Sequence, residues 1–356
     1  MIEAGRRELR RMRESAEAWP ELRDEVRRAQ VLWALQYDRR PEDLALVRWL
    51  AAEEARCRRE GGFQGLTEGV ELAGFLLAEY RQVEDVWTQW ELKRADFDTW
   101  CGYDVEHLVA AGVQATIDFV RGSVHPYQQE VLERLLDDDG EPELSEEDVA
   151  EWAEQRRLWF PADPADEDPL TWAERARLVG DKALAREWLD RWSAGRPRDR
   201  DTLSRLRYQL ADLDAFAEAA AAQRELVTFA DSDWDRASAW QDLAGLERRA
   251  GDLGAAWAAL RESGRAIDDV PGWTEVGLGR MFVHQLFLLA AAAGDDLAGP
   301  VFAEADRRAA VVPRLPVVVL RDAVTAALRV GDRGRVAHYE RLRDAEQDRI
   351  DTELKR

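Results

Sequence analysis

The densest run of reactive side chains is Asp96-Phe97-Asp98-Thr99-Trp100-Cys101-Gly102-Tyr103-Asp104-Val105-Glu106-His107. Carboxylates, a thiol and an imidazole this close together are the materials of a metal site or of acid–base chemistry, because both need deprotonated ligands or groups that titrate near neutrality. Asp98, Cys101, Asp104 and His107 are the candidate cluster. Their spacing matches no ligand pattern, and a helix start at Asp104 explains it in ordinary structural terms. His107 then lies one turn along, within reach of a capping hydrogen bond, and Cys101 becomes a small buried residue in the turn. The expectation is a structural cluster, with no metal, no cofactor and no catalytic residue.

The other histidines are isolated. His125 precedes Pro126, and His338 adjoins Tyr339. His284 sits within Met281-Phe282-Val283-His284-Gln285-Leu286-Phe287, a polar residue on a strongly apolar helix, and is the candidate groove residue. No H-E-x-x-H, G-x-S-x-G, P-loop or G-x-G-x-x-G pattern occurs. Gly277-Leu278-Gly279 is not a phosphate-binding turn, because no strand precedes it.

Composition sets the limits around these residues. The formal net charge of −22 opposes the phosphate backbone that supplies most non-specific nucleic-acid affinity, so a nucleic-acid partner is not expected. Hydrophobic residues are 46% of the chain and tryptophan occurs 15 times, enough to form a core. Cys57 and Cys101 are far apart and form no C-x-x-C pair, which fits a reducing compartment. The first residues lead into a mixed Arg/Glu helix, and no apolar run approaches about 18 residues, so a cytoplasmic location off the membrane is expected.

The elements that position these residues read as helices throughout. Val317-Val318-Val319-Leu320 is the one β-leaning run, but Pro313 and Pro316 precede it and a helix starting after the second proline is more economical. Helices are expected over about 41–59, 66–93, 104–120 and 126–136, and Ser145 with Asp148 forms a capping-box start. Three prolines among acidic residues in 161–169 mark a linker, and Thr171 with Glu174 offers the next capping box. The expected organisation is an N-terminal irregular helical region over 1–160, that linker, and helical repeats over 170–356. The acidic concentration from Glu133 to Asp168 reads first as solvated surface and second as a dock for a basic partner.

Beyond the linker a signature recurs. Val179-Gly180-Asp181, Ala250-Gly251-Asp252, Ala293-Gly294-Asp295 and Val330-Gly331-Asp332 each end one helical pattern and precede another, and Leu210-Ala211-Asp212-Leu213 is a weaker copy without the glycine. Gly ending a helix and Asp starting the next is the chemistry of a tight helix-turn-helix. The second helices repeat one apolar stripe: Ala185, Trp188, Leu189 and Trp192; Leu253, Ala256, Trp257 and Leu260; Ala298, Val301, Phe302 and Ala305. Trp87 and Trp90 also recur at helical spacing and read as core.

The unit around Gly251 resembles a tetratricopeptide repeat. Trp240 and Leu243 stand for the family's first-helix Trp and Leu, Ala250 for the small residue before the turn, and Ala256 and Leu260 for the second-helix pair. Ala244, Glu247 and Asp268 depart from the family's Gly, Tyr and Pro. The resemblance covers roughly residues 168–345 and implies an all-α fold, a helix-pair repeat α-solenoid with a concave face. It implies a non-catalytic scaffold or adaptor for another protein or peptide, of a basic kind if the acidic surface is used. The rival readings are a helical enzyme or metal protein centred on the Asp96–His107 run, and a peptide-sensing regulator.

Overall fold

The fold is that of a computed structural model, which describes residues 1–62 and 64–353. It is all-helical. Among the described residues there is no strand, only an antiparallel bridge from Leu136 to Pro142 that closes an acidic turn. Two compact units form, Met1–Trp188 and Leu189–Arg356.

The first unit begins with α1 (Ile2–Glu14), α2 (Glu25–Tyr37), α3 (Leu44–Glu60), α4 (Glu68–Ala78) and α5 (Val86–Lys93). It continues with α6 (Phe97–Gly102), α7 (Val113–Gly122), α8 (Gln128–Leu135), α9 (Glu146–Trp159) and α10 (Pro169–Leu178). α11 (Lys182–Ser193) carries the boundary between the units. Two larger apolar clusters form most of its core, beside a small one of Ala78, Ala110, Trp152 and Ala153. Of the larger two, one centres on Leu32, Leu50, Leu72 and Leu76, the other on Trp90, Leu108, Ile117 and Leu135.

Helix starts follow local chemistry. Ser145 and Asp148 form the expected capping box of α9. The Thr171 expectation is corrected: Asp168 caps α10, accepting from the Leu170 amide at 2.7 Å, and Pro169 takes the first helical position, where its missing N–H costs nothing. The expected 66–93 helix is broken at Arg81, whose φ of +53° no glycine or proline announces. The expected 104–120 helix is a 3₁₀ turn over Val105–Val109, then Gly112 at φ +125°, then α7. The 161–169 segment lies inside the first unit, with Glu167 buried against Gln36 and Tyr37.

The second unit runs through α12 (Arg200–Asp212), α13 (Phe216–Leu226), α14 (Asp233–Ala250), α15 (Leu253–Asp268), α16 (Gly277–Ala292), α17 (Asp295–Ala309), α18 (Val317–Arg329) and α19 (Arg333–Glu353). The Val317 run is helical. Adjacent helices pack as pairs: α12 with α13, α14 with α15, α16 with α17 and α18 with α19. α14 also packs on α16, and α16 on α18.

The turns show why the pairs form. Gly251 has φ +88°, a left-handed conformation open to glycine without a Cβ clash. There the Asp252 amide donates to the Glu247 carbonyl at 2.9 Å and the Gly251 amide to that of Arg248 at 3.1 Å, satisfying carbonyls the helix end leaves bare. The Asp252 carboxylate then accepts from the Ala255 amide at 2.8 Å and starts α15. Gly180 with Asp181 and Gly331 with Asp332 repeat both halves of this arrangement. In the weaker copy, Asp214 takes the left-handed place at φ +60°, and the Ala215 amide donates to the Leu210 carbonyl at 2.9 Å. Gly294 differs: its φ is −69°, α16 ends on extended Ala293, and α17 starts without a side-chain cap.

The apolar stripes are buried at Ala185, Leu189 and Trp192, at Ala256 and Leu260, and at Ala298, Val301, Phe302 and Ala305. Trp257 is a correction: it is half-buried, its ring 5.9 Å from the Arg261 guanidinium.

Candidate functional site

The Asp96–His107 run is built by α5, α6 and the turn after them. Asp96 caps α6, accepting from the Thr99 amide at 2.8 Å while its own amide donates to the Thr99 hydroxyl at 2.9 Å. Lys93 reaches from α5 to the other end of α6, donating to the carbonyls of Tyr103 at 2.6 Å and Trp100 at 3.0 Å. Burial pushes the Lys93 ammonium below its ordinary range. Phe97, Asp98 and Cys101 are left on the outer side of this short helix; Phe97 and Cys101 are exposed.

The four candidates occupy four different environments. Asp98 accepts from the Gly65 amide at 2.7 Å. Cys101 is exposed, which corrects the expectation that the turn buries it. Asp104 does not cap the following turn with its side chain. It accepts from Trp152 Nε1 at 2.8 Å and Arg156 Nε at 3.0 Å, both on α9. Burial alone would raise the Asp104 carboxyl, but these two donors outweigh it and hold it below its usual value. Arg156 also reaches Glu71 on α4 at 3.1 Å.

His107 is the best enclosed of the four, at 2% exposure. Its ring stacks on Tyr103 at 4.1 Å and meets Trp152 edge-on at 4.6 Å. Nδ1 lies 3.2 Å from the Asp104 carbonyl, so the expected one-turn contact is made to backbone, and Nε2 is buried without a partner. Burial lowers its pKa to about 3, which keeps the imidazole neutral at pH 7. A neutral ring packed between aromatics holds α9 against the turn and is poorly placed to exchange protons with solvent.

Two clefts flank the run. One, of about 380 Å³, is walled by Asp104, Glu106, Glu151, Trp152, Arg156 and Trp159. The other, of about 330 Å³, is walled by Lys93, Cys101, Asp104, Glu106, Arg134 and Glu143. Asp104 and Cys101 share the second; Asp98 and His107 line neither. Among the described residues no group of three or more His, Cys, Asp or Glu side chains is arranged to hold a metal ion. Sequence spacing did not reveal Trp152 and Arg156, the partners that fix Asp104, because they lie 48 and 52 residues away.

In the second unit, side chains link like helices of neighbouring pairs. On the first helices, Arg207 of α12 donates to Asp242 of α14 at 2.9 Å across 35 residues. His284 of α16 lies 2.7 Å from Asp322 of α18 across 38 residues. Arg329 of α18 donates to the Ala293 carbonyl at 3.0 Å across 36 residues. On the second helices, Arg308 of α17 donates to Asp268 of α15 at 2.9 Å across 40 residues. Tyr339 of α19 donates to Asp306 of α17 at 2.8 Å across 33 residues. His284 is thus half-buried with a carboxylate partner, on the layer made by α14, α16 and α18.

No protein-family model matches this chain, and no curated protein matches it. No helix among the described residues is long and apolar enough to cross a membrane.

Proposed function

We propose that this protein is a non-catalytic scaffold whose second unit is a tetratricopeptide-like α-solenoid, with a face of first helices that holds a segment of another protein or a peptide. The observation that carries the reading is the set of lateral bonds between like helices. These contacts span 29 to 44 residues, around the roughly 34-residue period of such repeats. The left-handed turns at Asp214, Gly251 and Gly331 support it, because each folds a helix back on its predecessor. A pair with one apolar stripe must stack on its neighbours to bury it, and stacking generates an extended face.

The first-helix face has the composition of a contact surface. Met281 on α16 and Val318 on α18 are 51% and 43% exposed, beside the polar His284, Gln285 and Asp322. Affinity capture from native lysate, compared across variants, tests the reading. Proteins retained by the wild type are lost with Met281→Asp and Val318→Asp, and kept with Arg265→Glu on the second helix α15. Equal retention by all three refutes the scaffold assignment.

A further inference from the structure

Gln223 of α13 is 2% exposed, and only half of its amide is used. Nε2 donates to the Ala239 carbonyl of α14 at 2.8 Å, which fixes the orientation of the amide, and Oε1 receives no donor. Among the described residues it is the one enclosed side-chain acceptor of the second unit left in this state. An enclosed acceptor without a donor destabilises the free chain, and an N–H brought by a ligand would remove that penalty.

Gln223 lines a cleft of about 200 Å³ walled by α12, α13 and α14. Arg207 of α12 and Asp242 of α14 line the same cleft, and the bond of 2.9 Å between them uses only Oδ2 of the carboxylate. Asp242 makes no other side-chain bond among the described residues, so Oδ1 is unused. Ala239, which holds the Gln223 amide, and Asp242 are one turn apart on α14, so the two unused acceptors serve one small space. Trp234, 44% exposed, gives the cleft an aromatic wall, and Asp235 adds a second carboxylate. The Arg207 guanidinium is occupied: Asp242 answers its charge, and its carbon lies 4.1 Å from the centre of the Tyr208 ring. Its Nε has no acceptor, but Arg248 and Arg280 share that state and it singles out nothing. The unmet groups that distinguish this cleft are therefore acceptors beside an aromatic face.

We infer that this cleft receives one arginine side chain of the segment that the second unit holds; this rests on the scaffold reading. Small-molecule sites usually enclose about 300 to 1,000 Å³, so a space of about 200 Å³ suits a single side chain better than a whole ligand. A guanidinium is planar, carries several N–H donors and stacks on aromatic faces. Lying against Trp234, it would donate to Gln223 Oε1 and Asp242 Oδ1 together. The net charge of −22 draws a basic segment toward the chain and leaves the choice of residue to this local geometry.

The test titrates the full chain with N-acetyl-arginine methylamide, followed by NMR, and needs no partner. The Trp234 indole N–H and the Gln223 side-chain amide shift and saturate together. N-acetyl-citrulline methylamide, planar but uncharged, and N-acetyl-lysine methylamide, charged but not planar, both bind more weakly. Trp234→Ala, read on the Gln223 amide, weakens the arginine probe about two- to fivefold, the loss of an exposed cation–π contact. Gln223→Met, read on the Trp234 indole, weakens it about two- to tenfold, the loss of one hydrogen bond. Trp234 is exposed, so its variant decides the matter should Gln223→Met fail to fold. Shifts that stay linear, equal binding of the lysine probe, or an affinity unchanged in Trp234→Ala overturn the site. If the arginine probe binds and the capture experiment finds no face-dependent partner, the site stands and the scaffold reading falls. If capture is face-dependent and the probe does not saturate, the scaffold reading stands and this site falls.

Discussion

Acid should undo the packing around His107 in a way that can be isolated from every other titration. The ring is neutral and buried, with its pKa lowered by burial from 6.5 to about 3, while the unfolded chain titrates it near the ordinary value. Between these values the unfolded state binds a proton that the folded state does not. Stability is therefore full above about pH 6.5 and falls as pH drops toward 3. Each pH unit in that window is worth about 1.4 kcal/mol, so moving from pH 6.5 to 4.5 costs about 2 to 3 kcal/mol. His107→Phe keeps the stack on Tyr103 and the edge contact with Trp152 but cannot titrate. Denaturant unfolding of both proteins at several pH values, followed by the ¹⁹F resonance of 5-fluorotryptophan at Trp152, gives the difference directly. Asp104 is held ionised through this range and cancels in the comparison. The wild type should lose about 2 to 3 kcal/mol relative to His107→Phe over the two units. A difference that stays flat would mean that the imidazole takes up its proton without leaving its place, and the argument from burial would fail.

Three further outcomes follow from the geometry. Arg175, 1% exposed, joins Glu68, buried Glu167 and Gln36, so Arg175→Ala should lower the stability of the first unit by about 3 to 5 kcal/mol in denaturant melts, the usual loss when a buried charge loses its partner. Gly251→Ala should cost about 1 to 2 kcal/mol because of the left-handed backbone, while Gly294→Ala at φ −69° should melt within about 0.5 kcal/mol of wild type; equal effects would contradict the two turn geometries. Leu260→Ala should cost about 2 to 5 kcal/mol and Trp257→Ala clearly less, because only Leu260 is enclosed, and calorimetry of the two variants checks the order.

Where the sequence was readable, the controlling chemistry lay within a few residues. Gly251-Asp252 announces both halves of its turn because the left-handed residue and the capping carboxylate are neighbours and each has a preferred residue type. Asp214 hides the same turn, since aspartate at positive φ carries no comparable signal, and Arg81 hides a helix break for the same reason. Gly294 shows the reverse error: the motif is intact, but the residue serves as a helix start in extended conformation. Trp257 fell on the predicted stripe, yet a stripe of four positions does not say which edge faces solvent.

The two halves differ in legibility because they satisfy their polar groups over different chain distances. In the second unit the polar contacts between like helices span 29 to 44 residues, so the spacing of the turns also says which helices become neighbours. In the first unit Arg175 meets Glu68 across 107 residues and Gln36 across 139, and Arg156 meets Glu71 across 85 and Asp104 across 52. No common interval relates these pairs. Nor does residue type identify them, because an arginine fully enclosed among carboxylates and one on the surface look alike in a charged sequence. The Asp96–His107 run shows the consequence. Its residue types suggested a site because they are close in sequence, whereas the folded chain disperses them: Asp98 to Gly65, Asp104 to α9, His107 into an aromatic stack. Proximity along the chain was informative for turns, which are local, and misleading for chemistry, which depends on what the fold brings together.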